Sequence, residues 1–415
     1  MHPHPRGRGR RGTIVSAALA ALVAALLIVP AADATRPTTD QEADVRIATF
    51  NASLNRAAAG DLRRDLASGD DAQARNVAEI IQRTRPDVLV LQEFDFEPGN
   101  AELFAENYLR VGQGGADPID YPHLFTAPVN TGVPTGLDLD RDGRTDGSGD
   151  AQGFGDFPGQ YGMVVYSRHP IDERNVRTFG HLLWQDMPGA LLPTDPETGE
   201  SWYDDEALDV LRLSSKSHWD VPVRVGRRTV HVLASHPTPP VFDGPEDRNG
   251  RRNNDEIRFW RDYVSAPGKA RWIVDDAGRR GGLGPRAHFV VAGDLNSDPF
   301  DGDSLPGSIG QLLDHPRVNT SRTPSSAGAV EASQRQGGVN LEHRGPAAHD
   351  TADFAEPPGN IRADYVLPST SLRITDAGVF WPTSDDPLSR LTGEFPFPSS
   401  DHRLVWVDVR PRLPW

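Results

Sequence analysis

Apolar residues come in short runs bounded by polar ones along most of this chain. Runs at residues 45–50, 88–91, 163–167, 229–235, 289–292, 363–367 and 404–409 are each four to seven residues long, the length of strands. Between them lie stretches of helical period. Residues 72–84 place Ala74, Val77, Ile80 and Ile81 on one face and end at Arg85-Pro86. Residues 254–264 open on Asn254 as N-cap, carry Asp255 and Glu256 in the first turn, and turn Ile257, Trp260 and Val264 inward. The alternation predicts an α/β domain. Residues 112–159 and 316–358, rich in Gly, Pro, Ser and Asp, read as large loops inside that one domain, because no linker divides the elements.

The first residues do not fit the pattern. Arg6, Arg8, Arg10 and Arg11 form a basic head, residues 13–28 are apolar but short and Ala-rich, and Ala32-Asp33-Ala34 is a small-x-small site. This predicts a signal peptide over residues 1–34, a short linker over 35–43, and one domain over 44–412. The expected destination is outside the cell, released or retained at its surface; an uncleaved N-terminal anchor is the competing reading.

Composition narrows the picture. With 37% hydrophobic and 25% charged residues the chain is globular, and 36 prolines with 40 glycines make it loop-rich. There is no cysteine, which removes disulfides, thiolate metal sites and a lipid-anchor cysteine; export without disulfides fits a bacterial protein. Without residues 1–34 the chain keeps 39 basic against 58 acidic side chains, a net charge of −19. Such a surface lacks the basic footprint of a dedicated nucleic-acid binder, though divalent cations offset it locally.

The polar residues that end the apolar runs carry the chemistry. Asn51 follows the first run in ATFNAS, Gln92-Glu93 the second in VLVLQEFD, His236 another in VLASHPTPP, and Asp294 with Asn296 ends HFVVAGDLNSDPFDGDS. Asp364 in RADYVLPS and Ser400-Asp401-His402 in PSSDHRLVWVDV complete the set. Each alone is an ordinary turn residue; six in one chain are not. Asp, Glu and Asn oxygens suit a hard cation such as Mg²⁺ or Mn²⁺, and two histidines near carboxylates suit acid/base work. No G-x-S-x-G elbow, phosphate-binding loop or H-E-x-x-H motif occurs. Metal-assisted attack of water on an anionic ester accounts for the set.

In this order Asn51, Gln92-Glu93, His236, Gly293-Asp294-x-Asn296, Asp364-Tyr365-Val366 and Ser400-Asp401-His402 resemble the endonuclease/exonuclease/phosphatase superfamily, over about residues 44–410. The resemblance implies a four-layer αββα sandwich, two mixed β-sheets packed face to face with helices outside. It implies that Glu93 is the principal metal ligand, with Asn51 and Asp401 near the metal. Asp294 then orients or deprotonates the attacking water and Asn296 contacts the phosphate. His402 polarises a phosphoryl oxygen or acts as base, and Asp364 orients its ring. His236 matches the second histidine of the deoxyribonuclease branch. Ser53 stands where some members carry an Asp, which argues against a second strong metal site.

Further residues are candidates on their own chemistry. Arg248, Arg251 and Arg252 precede the helix expected at Asn254 and suit a phosphate, or else pair with the protein's own carboxylates. Lys216 and His218 suit a phosphate contact but read first as a surface strand, and Tyr161 and Tyr166 suit the flank of the site but read first as core. Asp138, Asp140, Asp142 and Asp146 fit D-x-D-x-D-G with a further Asp, like a calcium loop, but its twelfth position is Gly149 in place of the bidentate Glu. The expected function is a secreted, metal-dependent phosphodiesterase acting as a monomer without an obligate protein partner, with a nuclease on nucleic acid as the first substrate reading. A phosphomonoesterase or a phospholipid- or sphingomyelin-type phosphodiesterase is the alternative. A noncatalytic calcium-binding surface protein on a decayed hydrolase fold is the reading from another class.

Overall fold

Strands that are apolar on both faces need cover on both sides, and that requirement organises this domain. The computed structural model describes residues 44–411. The expected signal segment and linker, residues 1–43, lie outside the described residues. One sheet contains β1 (Val45–Leu54), β2 (Val88–Phe94), β3 (His123–Phe125) and β4 (Met163–Ser167). The other contains β5 (Arg177–Thr178), β6 (His218–Val225), β7 (Arg228–Ser235) and β8 (His288–Asp294). A two-stranded ribbon, β9 (Ala352–Asp353) and β10 (Asn360–Ile361), stands apart. Then β11 (Asp364–Pro368) joins the second sheet, and β12 (Leu372–Val379) and β13 (Val405–Pro411) join the first. The spatial orders are β12-β13-β1-β2-β4-β3 and β11-β8-β7-β6-β5. Both sheets are mixed: β1–β2 and β7–β8 are parallel, and their neighbours antiparallel.

Alternation along each strand splits its apolar residues between two cores. Ile47, Val88, Val90 and Val165 of the first sheet meet Trp219, Val221, Val232 and Val290 of the second between the sheets. Ala48, Phe50, Leu89 and Leu91 face the other way, under the helices Asp61–Ser68 and Ala72–Thr84. Leu233, Phe289, Val291 and Leu367 do the same under the helix Arg248–Val264. The result is the expected helix–sheet–sheet–helix stack.

Differences from expectation trace to tertiary contacts. The last long helix begins at Arg248, six residues before the expected Asn254, with Asp247 as its N-cap. Its first turns look like loop sequence, RNGRRN. Partners outside the helix hold them: Asn249 N–H donates to Asp243 (2.6 Å), and Asn253 Nδ2 donates to the carbonyls of Thr238 (2.8 Å) and Leu295 (3.0 Å). The region 316–358 includes a helix, Ala327–Gln336, capped by Ser326. His218, expected on a surface strand, is fully buried on β6. Its ring bonds Ser214 Oγ (2.5 Å) and the Glu256 carbonyl (2.9 Å) and packs on Phe259 and Trp260.

Two consequences can be measured. A Cβ on Gly293 would lie 2.0 Å from the Ser235 carbonyl oxygen on the neighbouring parallel strand. Gly293→Ala should therefore force β7 and β8 apart and cost about 1–3 kcal/mol in denaturant unfolding; an unchanged midpoint refutes this. Burial pushes the His218 pKa down to about 4, so the unfolded chain takes up a proton that the folded ring refuses. This contribution is intact above about pH 6.5 and is lost as pH falls toward 4, amounting to about 3 kcal/mol. His218→Gln should flatten the pH dependence of melting in that window; parallel profiles for the two proteins would exclude it.

Candidate active site

The ends of six strands from both sheets meet at one edge of the sandwich, and the polar residues there converge on Asp294. Asp294, at the end of β8, is 1% exposed. Its Oδ1 accepts from the Asn296 N–H (3.0 Å) and its Oδ2 from Asn51 Nδ2 at the far part of β1 (3.1 Å). The same Oδ2 lies 3.3 Å from His236 Nε2, just past β7, and 3.6 Å from His402 Nε2, just before β13. His402 Nδ1 bonds Asp364 Oδ2 at 2.9 Å. Asp364 begins β11 and sits directly opposite Asp294 in the register. Glu93 ends β2 beside Asp401, and both line the cavity that holds Asp294, Asn296, His236 and His402.

Backbone strain aims several of these groups. Ser53, Glu93 and Asn296 all have left-handed backbones, with φ of 49°, 52° and 49°. Strict alternation would put Glu93 on the helix-covered face with Leu89 and Leu91; the left-handed turn brings its carboxylate to the cavity instead. Such conformations cost about 1–3 kcal/mol each and persist where surrounding contacts hold them. Here they are held: Asn296 Nδ2 donates to the Pro237 carbonyl (3.1 Å), and Ser53 N–H donates to Asn51 Oδ1 (3.2 Å).

The electrostatics separate the two histidines. Burial pushes His236 well below the ordinary histidine range, and the charges of Lys216 and His402 push the same way, so its ring is neutral. Burial works against charge on His402 too, but Asp364 and Asp294 outweigh it and hold the ring protonated. Burial raises the Asp294 carboxyl to about 7, with His402 opposing and Asp364 reinforcing. Groups pushed apart in this way are the mark of assigned acid and base roles. Burial and then the charge of Asp401 raise Glu93. Glu93 and Asp401 thus crowd one corner without an ion pair, and Ser53 Oγ donates to Asp401 at 3.2 Å. Paired hard oxygens of this kind fit a divalent cation such as Mg²⁺, which takes one or two carboxylates and keeps its waters. Asn51 turns its amide nitrogen, not its oxygen, toward Asp294, so it supplies a donor to the carboxylates.

Residues without a sequence signal complete the site. Thr351 Oγ1 donates to Asp364 Oδ2 (2.7 Å) and accepts from the Asp364 N–H (2.9 Å). Phe354 sets its ring edge-on to His402, 5.1 Å between centroids. Arg403 is buried against Trp381 and donates to the Ser400 carbonyl (2.7 Å), which fixes the Ser-Asp-His segment. Lys216, expected at the surface, is 6% exposed and lines a second cavity that also touches Glu93 and His236; burial lowers its pKa, and the charges of Glu256, Glu93 and Asp294 oppose that.

Other candidates fall elsewhere. Arg252 lines the second cavity, but its guanidinium donates to the carbonyls of Leu213 (3.0 Å), Gln152 (2.5 Å) and Arg212 (2.7 Å). Arg248 pairs with Glu246, and Arg251 donates to the Glu246 carbonyl (3.2 Å). In the aspartate loop, Asp138 and Asp140 converge with Asp150, with ligand atoms within 4.8 Å, while Asp146 pairs with Arg144 (3.0 Å) and Asp142 accepts from the Arg144 N–H (2.8 Å). A Cβ on Gly149 would lie 2.1 Å from Oδ2 at the end of the Asp140 side chain, so a side chain at this position would have to displace that carboxylate.

The electrostatic account of His402 has a direct check. Asp364→Asn removes the nearest charge holding its proton and should lower its pKa by about 1 unit or more, followed through the histidine ring protons by NMR against pH. An unmoved titration would assign the proton to another partner.

The profile of the Endonuclease/Exonuclease/phosphatase family matches residues 48–402, the span from β1 to His402. No curated protein matches the chain. Solved structures with a similar fold include an endonuclease/exonuclease/phosphatase from Beutenbergia cavernae DSM 12333, with TM-score 0.48 and 20% identity, covering 89% of this chain and 72% of that one. Sphingomyelinase C from Streptomyces griseocarneus has TM-score 0.44 and 15% identity over 88% and 99% of the two chains. The catalytic domain of human nocturnin has 0.42 and 13% over 89% and 95%. With a family match across most of its length and the family's polar set gathered at one edge of the sandwich, the chain belongs to the endonuclease/exonuclease/phosphatase family.

Proposed function

We propose that this chain is an exported, divalent-metal-dependent phosphodiesterase. The observation that carries the reading is Asp294, a buried carboxylate held between a neutral and a protonated histidine. Its raised pKa makes it a base matched to neutral pH. In the reaction, water attacks phosphorus as Asp294 takes its proton, and the bond to the ester oxygen breaks, that oxygen leaving as an alkoxide that takes a proton from solvent. The His402 imidazolium donates to a non-bridging phosphoryl oxygen and stabilises the charge that develops there. Asp364 and Thr351 keep that ring aimed, and Asn51 and Asn296 hold Asp294. Glu93 and Asp401 are the residues that would hold a Mg²⁺ or Mn²⁺ ion, which when bound neutralises phosphate charge as a Lewis acid.

His236 favours a nuclease by resemblance to the deoxyribonuclease branch. A net charge of −16 over the whole chain and a cavity beside the site with both apolar and polar walls favour a small phosphoester instead, and this second reading is the better supported. Purified protein should hydrolyse bis-(p-nitrophenyl) phosphate with Mg²⁺ and stop with EDTA. Glu93→Gln, Asp294→Asn and His402→Ala should each lose about 10²-fold or more in kcat/KM. Metal-independent turnover, or near-full activity in the Asp294 variant, would overturn the proposal. Comparison with duplex DNA, RNA and sphingomyelin ranks the substrate classes.

A further inference from the structure

The cavity beside the candidate active site shares Glu93, His236, Pro239, Val241 and Phe242 with the cavity of Asp294 and extends beyond them to Lys216, Leu139 and Tyr203. It encloses about 380 Å³, at the small end of ligand sites. Leu139, Tyr203, Leu211 and Val241 give it apolar walls. Phe154 and Phe242 line it while remaining 64% and 89% exposed, so they stand at its mouth. Phenylalanines left in water beside a concave apolar site are surface that a ligand can cover. Phe242 also has a left-handed backbone, φ 65°, between Val241 and Asp243, both of which bond Asn249.

At the inner end stands Lys216. Lys216 is buried, the charges of Glu256, Glu93 and Asp294 favour its ammonium against the cost of burial, and it lines the same space as Glu93 and His236. Glu93 and His236 line the neighbouring cavity of Asp294 and His402 as well, so the two spaces share a wall where a phosphate bound for hydrolysis would sit. We propose that the apolar cavity seats the ester arm of a small phosphoester bearing a single aromatic ring, and that the Lys216 ammonium grips the phosphate of that substrate at the shared wall. This rests on the phosphoesterase reading above and adds to it the chemical class of the substrate and a cation that binds it. A polynucleotide would instead need an open groove lined by free cations; Arg252, which lines this cavity too, is tied to backbone carbonyls, and Arg248 to Glu246.

Binding tests this separately from turnover. Phenyl phosphate and methyl phosphate are titrated calorimetrically into the protein with Mg²⁺ and again with EDTA. Wild type should bind phenyl phosphate about tenfold or more tighter, the value of burying one ring. The double variant Phe154→Ser, Phe242→Ser changes two exposed side chains and should fold; its preference should fall to about twofold or less. Lys216→Met, checked for an unchanged melting temperature, should weaken both ligands about tenfold or more. Equal affinities in wild type, an unchanged preference in the double variant, or unchanged affinities in folded Lys216→Met would each overturn the proposal. So would binding to sphingomyelin vesicles that the double variant loses while the two phosphates are bound alike, because that assigns the phenylalanines to a lipid surface. Selective binding without metal-dependent hydrolysis supports the cavity and overturns the hydrolase reading alone.

Discussion

Two buried carboxylates, Asp294 and Asp364, face each other across paired antiparallel strands, and the centre of this protein is organised around that conflict. Like charges directly opposite in a sheet repel, and neither group reaches bulk water. The His402 ring relieves the repulsion by contacting one with each nitrogen. His402 comes from the first sheet and the carboxylates from the second, so the contact also registers the two sheets against each other. The apolar slab between them is non-directional and would tolerate sliding. Displacing the ring would leave unpaired buried charge, at a cost of about 3–5 kcal/mol. The same contact that sets catalytic protonation therefore locks the sandwich.

The legible part of the site was the part placed by strand ends. Asn51, Glu93, His236, Asp294, Asp364 and His402 each interrupt an apolar run, and the interruption is visible because strands alternate and turns do not. What was not legible depends on chain segments meeting from afar. Thr351 lies in a region with no period, and its role exists because it bonds Asp364. Lys216 and His218 look like surface residues because Lys, His, Ser and Asp surround them in SSKSHWD; only the helix packed above makes that segment interior. The early start of that helix was hidden for the same reason: RNGRRN has poor helix propensity and is held by carbonyls that belong to other segments. In the aspartate loop the spacing pointed to Asp138, Asp140, Asp142 and Asp146, whereas Asp138 and Asp140 converge with Asp150, and Asp142 and Asp146 turn to Arg144.

Glycine and strain divide the labour at the catalytic edge. Gly293 lets β7 and β8 approach where a methyl group would not fit, and this draws Asp294 and His236 together. Three non-glycine residues with left-handed backbones then point side chains where regular strands could not. Rigid strands thus supply position and strained ends supply direction, which is the arrangement a precise site requires.

The place of β1 has a consequence in time. It lies between β2 and β13, with Val45 paired to Val409 and Thr49 to Val405. Asn51 on β1 and His402 just before β13 reach the same Asp294 carboxylate only after that pairing forms. A chain emerging from the ribosome cannot complete the first sheet until nearly all of it has been made. Nascent fragments therefore carry Glu93 and Asp294 without the His402 ring beside them, and the candidate site is incomplete until synthesis is essentially over.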